Sequence, residues 1–283
     1  MTPFICVTCG TQFSETATPP SICPICTDDR QFVGWEGQSW TTLEKLRETH
    51  KLTFEVEDDG VTGIGIAPHF AIGQRALLVR TPHGNVLWDC VALVDDEAVR
   101  KIKAQGGLVA LAISHPHYYT VMAEWSDAFG GIPIYLHEDD RKWVMREHSA
   151  IVPWKGDDRE IAPGLTLIRC AGHFPGATVM HWAQGARGEG AVFAGDVIAV
   201  NLDRASVSFM HSFPNYIPLD AGAVRHIGEV MAPYRFAKIF GAFSRRNVMA
   251  DGRAVFERSV GRYLKAIGAK AISAHSREGG NPG

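Results

Sequence analysis

Two sets of residues in this chain have the types and spacing to do chemistry. The first is Cys6-Val-Thr-Cys9-Gly10 followed by Cys23-Pro-Ile-Cys26, two C-x-x-C pairs separated by a polar loop through Pro19-Pro20. Each pair offers two thiolates to one ion, and Gly10 and Pro24 suit the tight turns that aim backbone N–H groups at sulfur. Four thiolates take zinc, which gives folding energy to a segment too short for its own core; iron fits the same donors. The second set begins in Ala112-Ile-Ser-His115-Pro-His117-Tyr118-Tyr119-Thr120, where an apolar run ends in histidines at i and i+2. In extended backbone both imidazoles project to one side. His173, in Ala171-Gly172-His173-Phe174-Pro175-Gly176, and Asp196, in Phe193-Ala194-Gly195-Asp196, follow two further apolar runs. Three imidazoles and one carboxylate at strand ends make a metal site, and zinc or iron held there acidifies water and polarises carbonyl groups.

Around these donors stand groups with secondary roles. Asp196 can orient a water or relay a proton, and Tyr118 and Tyr119, beside the ligands, can donate to a developing oxyanion or simply pack. The aromatic segment Val207 to Pro218 carries Phe209, His211, Phe213 and Tyr216. It reads either as a roof over an apolar substrate pocket, with His211 as an acid, base or further ligand, or as helix-to-sheet packing. Cys90 and Cys170 read as small core residues, His137 as a satisfied strand-end histidine, and Arg245-Arg246 as solvated charge or an anion contact.

Alternating strands and helices must position these groups. Leu52 to Val56, Arg75 to Thr81 and Asn85 to Val91 read as strands, the last two joined at Pro82-His83-Gly84. Asp95 caps a helix that Gly106-Gly107 stops, and the run Leu108 to Ser114 leads into the His-x-His. Next come a helix at Met122 to Phe129, a strand at Ile132 to His137 and a helix at Asp139 to Arg146. Strands at Leu165 to Cys170, Thr178 to Trp182, Ala191 to Ile198 and Lys238 to Phe243 follow, with helices capped by Asp220 and Asp251. This order gives an α/β fold. Residues 1–40 form the cysteine segment, 50–270 the main domain, and 276–283 a polar, Gly/Pro-rich tail that reads as disordered.

The cysteine motifs resemble zinc-ribbon and rubredoxin knuckles, with a shorter loop between the pairs than in rubredoxin. The order Asp89, His115-x-His117, Gly172-His173 and Gly195-Asp196 resembles the metallo-β-lactamase superfamily. The resemblance covers roughly Leu52 to Gly268. It implies an αββα sandwich with a small N-terminal zinc-ribbon-like segment and a metal site at the edge of the sheets. His115, His117 and His173 would be ligands, Asp196 the carboxylate that bridges two metals in the superfamily, and Asp89 a supporting group behind the site. The superfamily's H-x-H-x-D-H pattern has Tyr119 and Thr120 in its last two slots here, and its late histidine would fall near Gly241-Ala242-Phe243, where none exists. The ligands of a second metal are therefore missing and a mononuclear centre is expected. The resemblance implies a metal-dependent hydrolase of esters, thioesters, lactones or amides. Its alternatives are an iron-dependent oxidoreductase with a rubredoxin-like centre and a degenerate, non-catalytic binding module.

Composition argues against nucleic-acid and membrane partners, and the hydrolase that the resemblance implies would act on a small-molecule substrate. In 283 residues, 28 Lys and Arg stand against 31 Asp and Glu, so no basic excess marks a nucleic-acid binder. No apolar run approaches a membrane span, and the first residues show no secretory signal, which makes the cytoplasm the expected compartment. The oligomeric state has no signature in the sequence.

Overall fold

The computed structural model describes residues 1–269, so the 276–283 tail lies outside the described residues. Two sheets lie face to face. The first has seven strands in chain order: Lys51–Asp58, Val61–Ala67, Ala76–Thr81, Gly84–Trp88, Ala110–Ala112, Ile134–His137 and Ile151–Trp154. Its first four strands pair antiparallel and the last three join in parallel. The second has six: Asp158–Ala162, Leu165–Arg169, Thr178–Trp182, Ala191–Phe193, Lys238–Phe240 and Asn247–Val248.

Strand alternation builds three apolar layers from these two sheets. In Gly84–Trp88, Val86 and Trp88 point between the sheets while Leu87 points outward. In the second sheet Met180 and Phe193 face inward, and Val179 and Val192 face out. The inter-sheet layer holds Trp88, Trp154, Trp182, Phe193 and Phe240, the last two stacked with centroids 5.1 Å apart. Helices Asp96–Lys103 and Met122–Ala128 cover one outer face through Ile102, Met122 and Trp125. Helices Ala221–Met231 and Gly252–Ala266 cover the other through Val224, Ile227, Phe256 and Leu264. Each such buried side chain contributes roughly 1.5–3 kcal/mol, and the order of layers is αββα.

Local chemistry sets several element ends. Asp95 and Asp220 accept from the backbone N–H of Ala98 and Ala223, as N-caps do. Asp251 stands at the N-cap position but is left-handed, with φ +52°, and its side chain makes no capping bond. The helix expected at Asp139 to Arg146 is instead a 3-10 turn, Glu138–Trp143, and the strand expected from Ala191 to Ile198 ends at Phe193. Among the described residues, no helix is long and apolar enough to cross a membrane.

The cysteine segment is bonded into this frame. Ile5–Cys6 pairs with Trp40–Thr41, and the Cys23 pair opens the short helix Pro24–Thr27. The Gln12 N–H donates to Thr120 O at 3.0 Å, and the Ser14 N–H to Met145 O at 3.1 Å. Trp143 and Met145 of the main domain pack on the buried cysteines.

Candidate metal centre and substrate pocket

Three loops leaving the sheet ends carry the histidines and the aspartate. Ala110–Ala112 runs into Ser114-His115, after which Pro116–Tyr118 form a single 3-10 turn. His173 follows the strand Leu165–Arg169 through two left-handed residues, Ala171 and Gly172. Asp196 follows Ala191–Phe193 through Gly195, where φ is +50° and an added Cβ would lie 2.6 Å from Ser114 Oγ. Only glycine fits that approach.

The donor atoms of His115, His117, His173 and Asp196 all lie within 4.8 Å of one another, and all four residues are buried. His115 Nε2 is 3.5 Å from Asp196 Oδ2. The Nε2 atoms of all three histidines are buried without a hydrogen-bond partner. Such atoms are costly unless something accepts their lone pairs. His173 Nδ1 lies 3.0 Å from Met210 O, which can only accept, so the proton sits on Nδ1 and Nε2 presents its lone pair inward. Burial, with His115 adding to it, pushes the His173 imidazole down to about 3, and burial holds His117 far below the usual histidine range. Both rings are thus neutral, as ligands must be. The arrangement fits one borderline cation held by three nitrogens and one oxygen.

Asp89 stands behind this group and acts through Ser114. Its Oδ1 accepts from the Ser114 N–H at 2.8 Å, and Ser114 Oγ lies 2.8 Å from His115 Nδ1. Burial pushes the Asp89 carboxyl up to about 7. Tyr118 and Tyr119 adjoin the ligands, and each hydroxyl has a backbone partner. The Tyr118 hydroxyl donates to Ala242 O at 3.2 Å and that of Tyr119 to Asp140 O at 3.5 Å; both rings are buried.

A cavity of about 460 Å³ opens over His117 and Asp196. Phe213 lines it, together with residues that carry no motif: Arg30, Phe32, His69, Ile72 and Phe243. The other members of the aromatic segment lie elsewhere. Phe209 is fully buried between helix and sheet against Phe256 and Tyr263, Tyr216 is exposed, and His211 Nε2 is 3.0 Å from Asp29 Oδ1. His137 is satisfied at both ring nitrogens, by Gly156 O and the Asp139 N–H. Arg245 is exposed, and Arg246 donates to Val200 O. Cys90 and Cys170 are buried thiols that burial pushes up to about 12.

The cysteine sulfurs form a second donor group, also within 4.8 Å of one another. Cys6 Sγ is 3.5 Å from Cys26 Sγ and Cys9 Sγ is 3.7 Å from Cys23 Sγ. Hydrogen bonds from Cys23 and Cys26 hold the Cys6 thiol well below its ordinary range, so a thiolate is available to a cation. Four sulfurs in one buried volume fit a tetrahedral ion, zinc or iron alike.

Asp140 props the far side of the His173 turn. Its Oδ1 accepts from the Gly176 N–H at 3.0 Å, while Oδ2 is buried without a partner. Burial pushes this carboxyl up from 3.8 to about 6. The folded chain therefore holds the proton more tightly than the unfolded one. Stability from this group is full below pH about 4 and is lost as pH rises through about 6. Asp140→Asn flattens the stability curve between those limits, measured by denaturant unfolding across pH; an unchanged slope would show an ionised Asp140 in the folded state.

The layered sheets and the strand-end site have the metallo-β-lactamase fold. Solved structures that share it include the mono-zinc form of the metallo-β-lactamase FIM-1 from Pseudomonas aeruginosa, with TM-score 0.54 and 17% identity over 76% of this chain and 96% of that one. The metallo-β-lactamase DIM-1 exposed to ceftazidime matches at TM-score 0.56 and 11% identity, over 77% of this chain and 98% of its own. No family model matches the sequence. The chain belongs to the family of the uncharacterized protein YmaE of Bacillus subtilis (strain 168), to which it is 44% identical over 266 residues, 93% of this chain and 96% of YmaE.

Proposed function

We propose that the protein is a metal-dependent hydrolase with a mononuclear centre, acting on an ester, thioester, lactone or amide that carries an apolar group. One observation carries the reading: three imidazoles with unpartnered, buried Nε2 atoms converge beside the Asp196 carboxylate, and His117 and Asp196 of this group line an apolar pocket. Zinc is the ion we assign to His115, His117, His173 and Asp196, and a second zinc to the four cysteines; iron suits both donor sets as well. The fold is shared with FIM-1, which has been described in a mono-zinc form. An ion bound to the histidines would supply Lewis acidity and bring the pKa of water towards neutrality.

The chain's own residues do the rest. Asp196, at the pocket floor, is placed to orient the attacking water and accept its proton. Phe32, Ile72, Phe213 and Phe243 hold the apolar part of the substrate and exclude water. His69, in the same wall, is placed to return a proton to the leaving atom. Tyr119 and Thr120 stand in the slots of the carboxylate and imidazole of a second metal site, and among the described residues the donors grouped at this site are His115, His117, His173 and Asp196. This supports one ion rather than the two-metal clamp that suits phosphodiesters.

The test is hydrolysis of a panel of aryl esters, thioesters and lactones with acyl chains of increasing length. The proposal expects turnover that rises with chain length, is lost in a chelator and returns with zinc. Turnover indifferent to chelator, or absent from every acyl substrate in protein shown to hold both ions, would refute it.

A further inference from the structure

We propose that Arg30 is a positioning residue of the main centre, the tie through which the cysteine segment fixes the turn that carries His173. The inference rests on the reading of His115, His117, His173 and Asp196 as metal ligands. Arg30 follows the knuckle directly, just after the helix Pro24–Thr27 that holds Cys26. Its Nε–H donates to the His173 carbonyl at 2.7 Å, and its guanidinium lies 4.6 Å from the centre of the Phe174 ring. Asp28 fixes the guanidinium in turn, with Oδ1 accepting from Nη1 at 2.6 Å and from the Arg30 N–H at 3.1 Å.

The turn needs such a tie. Ala171 and Gly172 are both left-handed, at φ +55° and +82°, and alanine has no intrinsic preference for that region. The His173 ring is fixed at Nδ1 by Met210 O, and the turn is bonded within itself by the His173 N–H to Ala171 O at 3.1 Å and propped by Asp140 at Gly176, but these bonds do not reach the His173 carbonyl. Arg30 holds the backbone end, so ring and carbonyl together define where Nε2 points. Arginine suits the task because its rigid fork spans two acceptors while its flat face stacks on a ring.

The other half of the knuckle makes a matching connection. Gln74 Nε2 donates both to Cys9 O at 3.2 Å and to His117 O at 3.3 Å. Each cysteine pair is thus joined, through one intervening side chain, to the backbone carbonyl of one ligand histidine. Asp29 extends the same contact to the pocket roof, pairing with His211 and accepting at its carbonyl from Asn215 Nδ2 at 2.8 Å, on either side of Phe213. The cysteine segment therefore acts as a template for the site rather than as an appendage.

The test uses full-length protein loaded with cobalt, for wild type, Arg30→Lys and Arg30→Ala. Thiolate-to-cobalt charge transfer reports the knuckle, and the weaker visible bands report the main centre. Titration with a chelator then gives the affinity of each. The proposal expects both variants to keep the knuckle signal while the main centre loses affinity about 10–100-fold, the range for a residue that orients a ligand from behind. Lysine should not rescue, since its single ammonium cannot span His173 O and Asp28. Main-centre affinity within about twofold of wild type would overturn the assignment. So would parallel loss of both signals, which would make Arg30 a packing residue only. A wild-type protein with no main-centre cobalt bands would instead remove the metal-centre reading, an outcome visible before any variant is compared.

Discussion

Replacing His115 and His117 together by alanine lowers acyl hydrolysis by about 10³-fold or more and leaves the chain folded. The size follows from the ion assigned to the two imidazoles. Losing several kcal/mol of transition-state charge stabilisation, about 4, corresponds to about 10³ in rate. The survival of the fold follows from where they sit. Their Nε2 atoms bond to nothing in the chain, and they lie on loops at the sheet ends, outside the inter-sheet layer of Trp88, Phe193 and Phe240. Removing a buried unpartnered nitrogen relieves roughly 1–3 kcal/mol, which offsets much of the cavity left behind. The contrast appears in melting with and without zinc. Ion at 100 times its dissociation constant stabilises wild type by about 2.7 kcal/mol, or about 5–10 °C, and the variant gains nothing from the same site. Equal turnover in both proteins would show that the histidines do not hold the reacting centre.

Cys23→Ser costs about 3–5 kcal/mol and lowers the melting temperature by about 6–20 °C, with loss of activity well below the melting point. Cys23 is fully buried beside Cys9, and Trp143 and Met145 pack on the cysteine cluster. A serine hydroxyl there is a poor ligand and an unsatisfied polar group. Because the segment also supplies Arg30, Gln31 and Phe32 to the pocket, its release opens one wall of the site before the sheets unfold. Thermal scans with two probes check this: a cysteine-segment signal from Trp40 and global ellipticity should separate in the variant and coincide in wild type. Coincident transitions at the wild-type temperature would show that the knuckle adds no stability.

Much of this was readable from residue types. Thiols in C-x-x-C pairs and histidines at strand ends announce themselves, because few side chains bind cations and their spacing follows turn geometry. The sandwich was readable from runs such as Val86-Leu87-Trp88, in which every residue is apolar because both faces of the strand are covered. The pocket wall was not. Arg30, His69 and Ile72 lie outside regular elements, where no periodicity marks a functional position, and only tertiary docking brings them over Asp196. Orientation was equally hidden. Phe209 and Phe213 sit in one aromatic stretch, yet one packs on Tyr263 while the other lines the cavity. Tyr118 and Tyr119 adjoin a ligand, and backbone geometry alone directs their hydroxyls to Ala242 O and Asp140 O. Capping by Asp251 failed for a local reason, its left-handed backbone.

The central claim is that each chain holds two ions, one in the cysteine knuckle and one at His115, His117, His173 and Asp196. Elemental analysis of protein purified without added metal tests it most directly, in wild type and in the His115→Ala/His117→Ala variant. The account predicts two zinc ions per chain falling to one. One ion in both proteins would contradict it, leaving only the knuckle filled and the three imidazoles without the partner their geometry implies.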